Sequence, residues 1–410
     1  METTDAPTLL LLNLPPQSLC GIDLLSFTTT PRFHGIRYLP PGWHFVFASP
    51  TLSVSVRSGT WFYISPSKSH SDNLIIKKWD PSTEELTNET DPSECLRWKA
   101  NLGALWNDSL TPYRQSASEA NDADARADWT ALISHLTPPL LTRMTSSTDA
   151  DGTSLAWNLS SASSARADLD EQIPELPSSL PIKPLSFLPI NLKQTWRSGA
   201  IGRERTDAAK DRSWALGDLV VNHCSAGNEM EVVGELQVVF VTALVLGNYS
   251  CREQWRRLLT LLLTCRSAVT ERTRLFVSVF EVLKVQLRRG NEAVDGAGGG
   301  VLELQDEGGT MLKGLLRNFR RGLEQIEEAD EAETDHKEVM TCFKELERFV
   351  KREFNWELGD EFVRRGMLEL EDGEMVEMEV GDMEGEDERG EYAPVVVDLE
   401  GEALEAERSE

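Results

Sequence analysis

The chain has 410 residues, 40% of them hydrophobic and eleven of them tryptophan. That supports about two to three ordinary domains and excludes a chain that is disordered throughout. The formal charge of −27 is uneven: from Leu368 to Glu410, 18 acidic residues face Arg389 and Arg408, a net of −16, and the rest of the chain carries −11. This balance excludes general nucleic-acid binding, which needs clustered Lys and Arg, and points to a basic partner surface.

The first third has the pattern of short strands. "TLLLLNL", "FHGIRYL", "WHFVFAS", "LSVSVRSG", "TWFYIS" and "NLIIKKWD" are rich in β-formers and separated by Pro, Gly, Ser or Asn. In "PRFHGIRYLPPGWHFVF" (31–47), Trp43, Phe45 and Phe47 fall on one face of an extended strand, and His44 and Val46 on the other. "LPPGW" carries the Pro-Gly punctuation of a turn, so the stretch is expected to be a turn and strand pair. "LSVSVR" alternates Leu52, Val54 and Val56 against Ser53, Ser55 and Arg57, a strand with one wet face. Close spacing predicts antiparallel strands in a sandwich or small barrel. Helices are expected around 92–110 and 119–136. From Arg143 to Ser179 the composition drops to Ser, Ala, Asp and Thr, which predicts a flexible linker or surface insertion, followed by an extended connector, "LPIKPLSFLPINL".

Beyond Thr206 the period becomes helical. Trp255, Leu258, Leu259 and Leu262 form one stripe; Leu275, Phe276, Val279, Phe280, Leu283 and Leu287 form a second; Phe343, Leu346, Phe349, Val350 and Phe354 form a third. "VVGELQVVFVTALVLG" is apolar almost all round, as for the central helix of a bundle. The fold class is therefore α+β and multidomain, with an antiparallel β-rich domain (1–142), a Ser-rich linker or insertion (143–179) and an all-α helical bundle (180–367). A Gly-rich disordered loop at 290–310 and an acidic disordered tail (368–410) complete the expectation. Within the tail, "YAPVVVDL" (392–399) is an apolar exception. In extended form Val395, Val397 and Leu399 share one face, while Val396 and Asp398 share the other. Such a segment suits strand addition to a partner's sheet edge, with Tyr392, Val395, Val396, Val397 and Leu399 as the binding residues.

No catalytic constellation stands out. His34, His44, His70, His135, His223 and His336 lack metal spacing, and Cys20, Cys95, Cys224, Cys251, Cys265 and Cys342 form no CxxC pair. Scattered cysteines in a long chain predict reduced thiols in a cytosolic or nuclear protein. "GAGGG" lacks the strand before it and the Lys-Ser/Thr after it that a phosphate cradle needs. Asp168, Asp170 and Glu171 fall in low-complexity sequence and are expected to be solvated. "LLLLNL" (9–14) is too short for a signal peptide, and "VVFVTALVLG" is far below the roughly 20 residues that cross a bilayer. No metal, cofactor, membrane or small-molecule ligand is expected.

"GID" (21–23) followed by "PRFHGIRYLPPGWHFVF" resembles the amino-terminal signature of the A1-cistron-splicing factor family. "IIKKWD" and "EEL" are similar to its next segment, "GELQVVFVTALVLGNYSCREQWRRLLTLLL" (234–263) to its helical core, and "KREFNWEL" (351–358) to its end. The resemblance implies a β-rich domain, a helical domain and a non-enzymatic role in assembling the U5 small nuclear ribonucleoprotein for pre-mRNA splicing. It implies binding to the RNase H-like and MPN-like domains of the U5 scaffold protein, pre-mRNA-processing factor 8, and exclusion of the U5 RNA helicase until maturation. It further implies a cytoplasmic and nuclear protein without direct nucleic-acid contact, and a tail that pairs with the scaffold's sheets. Two other readings remain open on the residues alone: a helical peptide-binding adaptor of the trafficking type, and an enzyme with its pocket in the β domain.

Overall fold

The computed structural model describes residues 6–51, 55–66, 74–146, 157–165, 168, 184–292, 307–329 and 335–359, and the strands at 365–369 and 375–379. Described residues up to Phe354 form one compact unit, and those from Asn355 onward belong to a second.

The β-rich part begins with β1 (Thr8–Leu12), β2 (Leu19–Ile22), β3 (Leu25–Thr28), β4 (Gly35–Arg37) and β5 (Gly42–Ser49). It continues with β6 (Ser58–Ile64), β7 (Leu74–Asp80), β8 (Glu85–Asn88), α1 (Pro92–Leu105), β9 (Leu110–Pro112), α2 (Glu119–Leu132), α3 (Pro138–Thr145) and β10 (Trp157–Ser160). Ten strands make two five-stranded sheets, ordered β8-β7-β1-β4-β9 and β10-β6-β5-β2-β3. Between them lies one core, in which Leu9, Leu11, Ile36, Trp79 and Leu86 meet Cys20, Ile22, Val46, Ala48, Phe62 and Ile64. On the far side of the first sheet, Leu10, Leu12 and Ile76 pack with Leu102, Trp106 and Leu110. The continuous leucine run of β1 follows from this position: a central strand buried on both faces has no wet face to alternate with. Each such leucine contributes about 1.5–3 kcal/mol when fully buried.

The sandwich agrees with the sequence reading, with three differences. The first sheet is mixed, because β1 pairs in parallel with β7 and β4 in parallel with β9. The turn at "LPPG" joins β4 and β5 as expected, but the two strands lie in different sheets and do not pair with each other. The "LSVSVR" strand does not form over Val56 and Arg57, and β6 starts only at Ser58; residues 52–54 lie outside the described residues. Within the stretch read as a linker, Trp157–Ser160 is an edge strand on β6, with Trp157 opposite Trp61. Burial of Trp157 and Leu159 against the sheet outweighs the loop-like composition around them.

The short β11 (Ser164–Ala165) and β12 (Pro184–Leu185) pair with each other. Among the described residues eight α-helices follow: α4 (Arg203–Lys210), α5 (Ser213–His223), α6 (Met230–Leu246), α7 (Tyr249–Leu263), α8 (Ala268–Glu271), α9 (Thr273–Glu292), α10 (Glu307–Ala329) and α11 (Asp335–Phe354). The three apolar stripes face inward as their spacing requires, except that Phe354 at the end of the third is half-buried; Phe276, Phe280, Phe319 and Phe343 form one aromatic cluster from α9, α10 and α11. Helix α6 is buried nearly all round, the central helix its composition calls for. Of the glycine-rich stretch at 290–310, both ends are helical, and 293–306 lie outside the described residues.

Candidate functional site

The family-like stretch at 21–47 builds a closed polar cluster inside the sandwich. Gly21 is required because the Phe47 ring covers its Cα: an added Cβ would stand 2.0 Å from Phe47 Cε1. Asp23 opens the two-residue turn between β2 and β3 with φ at 55°, a conformation that aspartate tolerates better than most residues. Its carboxylate accepts from the Phe45 backbone N–H (2.8 Å), His44 Nδ1 (2.7 Å), the Tyr113 hydroxyl (2.7 Å) and Gln115 Nε2 (2.9 Å). His44 Nε2 sits 2.8 Å from the Pro40 carbonyl. Both ring nitrogens therefore face acceptors, and only the doubly protonated imidazolium satisfies both.

Burial alone would lower the pKa of His44, but the Asp23 charge and the two hydrogen bonds outweigh it and hold the pKa above the ordinary value of 6.5. The chemistry is that of a staple. Every polar atom of the ring is engaged, and the side chain is 2% exposed, so it presents no lone pair to a substrate. A histidine stabilised in its charged form contributes fully below pH 6.5 and loses the contribution as pH rises through the folded pKa. Against Asp23→Asn combined with His44→Phe, which leaves no charge buried alone, the stability advantage of the wild type should thus shrink as pH rises above 6.5 in denaturant titrations. A pH-independent difference would show that the ring is not charged in the folded protein.

A second set of polar groups joins the sandwich to the helices. Trp129 of α2 stacks on Trp61 and donates from Nε1 to the Trp43 carbonyl (3.0 Å), which covers the outer face of the second sheet. From the other side of α2, the buried Asp128 is clamped by Arg288 and Arg289 of α9. Gln237 of α6 accepts from the His135 backbone N–H (2.9 Å) and donates to the Ala131 carbonyl (2.8 Å). Gly234 lets this crossing close, since a Cβ there would stand 2.6 Å from the His135 carbonyl. Arg143 bridges Glu231 (3.1 Å) and Glu235 (2.7 Å) of α6, while Glu235 also accepts from the Leu188 N–H and from Gln254. At the α6–α7 corner, Gly247 closes one helix at φ 70° and Asn248 caps the next, accepting from Cys251 N. Asn248 Nδ2 donates back to the Ser160 carbonyl at 2.8 Å. "GELQVVFVTALVLGN" therefore works as a joint as well as a core helix.

One expectation is overturned, at Asp168. Asp168 is buried and paired with Arg257 at 2.7 Å, so it is not solvated; Asp170 and Glu171 lie outside the described residues. Cys20, Cys224, Cys251 and Cys265 are buried thiols, and burial pushes Cys20 and Cys224 up to about 12, which keeps them protonated. Among the described residues no group of His, Cys, Asp or Glu fits a metal ion, and no helix is long and apolar enough to cross a membrane. His34 bonds the Arg32 carbonyl at the surface. The tail segment with Tyr392, Val395, Val396, Val397 and Leu399 lies outside the described residues. Composition hid Arg143, at the start of a Ser-rich stretch; the detectable signal was on the other side, two glutamates four residues apart in a helix otherwise apolar.

Both halves of this assembly match models of one family. Residues 5–146 match its AAR2 N-terminal domain, and residues 187–359 its AAR2 C-terminal repeat region. The chain belongs to the AAR2 family. It is 28% identical over 307 residues to the mouse "Protein AAR2 homolog", covering 69% of this chain and 76% of the mouse protein. The human homologue is 28% identical over 305 residues with the same coverage, and that of Caenorhabditis elegans 24% identical over 306 residues, covering 68% of this chain and 78% of its own length. AAR2 is a family of U5 snRNP assembly factors. The two matched regions are those that the Asp128, Gln237 and Arg143 contacts hold together.

Proposed function

We propose that this AAR2-family chain is a chaperone of U5 snRNP and tri-snRNP assembly that holds pre-mRNA-processing factor 8 through its RNase H-like and MPN-like domains. It occupies that scaffold during assembly and keeps the U5 RNA helicase away until the particle matures, in the cytoplasm and the nucleus. The carrying observation is the match to both AAR2 regions in one chain. Two features support a role by binding alone: the buried polar clusters around His44 and Glu235 are engaged internally, and the tail joins net negative charge to a strand-forming apolar run.

In this reading Tyr392, Val395, Val396, Val397 and Leu399 form a strand on an open sheet edge of the scaffold. The surrounding Asp and Glu favour a basic rim and speed encounter, so association slows in high salt. Val395→Asp combined with Val397→Asp should weaken binding to the two scaffold domains about tenfold or more, the factor that about 1.4 kcal/mol gives. Thermal unfolding should stay as in wild type. Titration of the full-length double variant with the purified scaffold domains checks this; unchanged affinity would remove the tail from the interface.

A further inference from the structure

The sandwich also carries a polar and aromatic cluster at its surface. Strand β4 ends at Arg37, and the next residue, Tyr38, has φ at 64°. Left-handed backbone is rare for a bulky residue because Cβ crowds the carbonyl, and Gly, Asn or Asp normally stands there. Hydrogen bonds on either side hold it: the Arg37 carbonyl accepts from the Tyr113 N–H (2.8 Å), and the Leu39 N–H donates to the Pro7 carbonyl (3.0 Å). The result is a tyrosine 43% exposed, set edge-on to Trp106 with ring centroids 5.6 Å apart. The Arg37 guanidinium lies against both rings, its Cζ 5.2 Å from the centre of Tyr38 and 5.4 Å from that of Trp106.

Donors outnumber acceptors in this cluster. Arg37 Nη1 donates to Asn107 Oδ1 at 3.2 Å, and among the described residues no carboxylate pairs with the guanidinium. Its Nε and the Nε1 of Trp106, a residue 3% exposed, are buried without an acceptor. We propose that Arg37, Tyr38 and Trp106 form a docking site for a protein carboxylate, an Asp or Glu side chain presented by the U5 scaffold domains. This rests on the reading of those domains as the partner and adds a contact on the sandwich, separate from the tail. Charge selects the occupant: a half-buried cation without a counter-charge favours an anion, and a carboxylate can accept from a guanidinium through both oxygens. Contact with two aromatic rings holds the guanidinium plane, so its fork is set before the acid arrives. Trp, Tyr and Arg are also the residue types that carry most binding energy at protein interfaces. A nucleic-acid strand asks for clustered cations, whereas these three residues bring a single charge in a chain of net −27. Arg37 stands beside the C-terminus of α1, which ends at Trp106 and has no basic residue in its last turn. Capping that helix would account for a cation here. It would not account for an exposed tyrosine held in left-handed backbone next to it.

Titration of full-length variants with the purified scaffold domains, with thermal unfolding of each variant alongside, tests the site. Arg37→Ala should weaken binding about tenfold or more, as truncation of an interface arginine does. Arg37→Lys keeps the charge but loses the planar fork, and should recover only part of the loss. Tyr38→Asn should weaken binding several-fold while unfolding at or above the wild-type temperature, because asparagine suits a φ of 64°. That combination, lower affinity without lower stability, is one that a purely structural role does not produce. Wild-type affinity in both Arg37→Ala and Tyr38→Asn overturns the proposal. A lower unfolding temperature in Arg37→Ala with affinity unchanged also overturns it, and leaves Arg37 as the cap of α1. Binding of an oligouridylate that depends on Arg37 and Tyr38, with scaffold affinity unmoved, overturns it in favour of RNA. The two readings separate. A wild-type chain that does not bind the scaffold domains removes the proposed partner and this contact with it. A wild-type chain that binds, with both variants binding equally well, leaves the partner standing and removes only the site.

Discussion

Arg143→Ala should destabilise the protein by about 3–5 kcal/mol, the cost of leaving a buried carboxylate without its cation. Arg143 is the cation shared by two acids on one face of α6, Glu231 and the fully buried Glu235. Burial pushes the Glu235 carboxyl above the ordinary glutamate range; Arg143, Gln254 and the Leu188 N–H pull it back. Without the guanidinium, burial dominates and the acid takes up a proton on folding. An acid whose folded pKa is raised loses stability as pH climbs from its unfolded value of 4.5 through the folded one. The deficit of the variant should therefore be smaller at pH 5 than at pH 8. Adding Glu235→Gln should recover part of it, because a neutral amide can still accept from Leu188 and needs no cation. Urea titrations of the two variants at both pH values check this. A deficit below about 1 kcal/mol, or one that grows in acid, would mean that Arg143 is a surface ornament.

Arg143 also shows where the sequence is readable and where it stops. Runs of β-formers between Pro, Gly, Ser and Asn identified β1, β4, β5, β6 and β7, and a repeat of three to four residues identified the helical stripes. Neither signal found β2 and β3, each four residues long and joined by Asp23 and Leu24 without Gly or Pro punctuation. The parallel β1–β7 pair was invisible too, since partners 66 residues apart leave no local mark. The antiparallel pair of strands Arg365–Glu369 and Met375–Glu379 was lost in acidic composition. Its apolar positions, Leu368, Val376 and Met378, sit among glutamates that suit a solvated chain equally well.

The polar sites divide in the same way. Spacing predicted that His44 would not be a metal ligand, but its role depends on Asp23, Tyr113 and Gln115, which only the fold brings together. Glu231, Glu235 and Gln237 were visible as polar interruptions of an apolar helix. Such interruptions announce buried partners without naming them, because a buried charge must be paired. The family resemblance and the joint fall on the same segment, 234–263, which is both the core of the bundle and its attachment to the sandwich.

Lys77→Met with Thr60→Val should raise stability by about 3 kcal/mol at pH 7. Lys77 lies on β7 between Ile75 and Trp79 in the alternation, inside the core between the sheets, and is 3% exposed. Among the described residues its partner is the Thr60 hydroxyl at 3.1 Å, and no carboxylate pairs with it. Burial lowers its pKa from 10.5 to about 8. Each tenfold loss of proton affinity is worth 1.36 kcal/mol, so keeping the ammonium in this core at neutral pH costs about 3 kcal/mol. Methionine fills nearly the same volume with no charge to desolvate, and valine matches threonine in shape, so no hydroxyl is left unpaired. Below pH 8 both folded and unfolded wild type carry the charge, and the cost is present in full. Between about pH 8 and 10.5 the folded protein sheds the proton while the unfolded chain keeps it, so wild-type stability rises with pH. The gain of the double variant should therefore be greatest at pH 7 and nearly gone at pH 10.5. Comparing the two proteins at each pH cancels every other titrating group, the opposite trend of His44 included. A gain that does not change with pH would mean that the amine is already neutral at pH 7 or reaches water, and burial would then not be what limits this core.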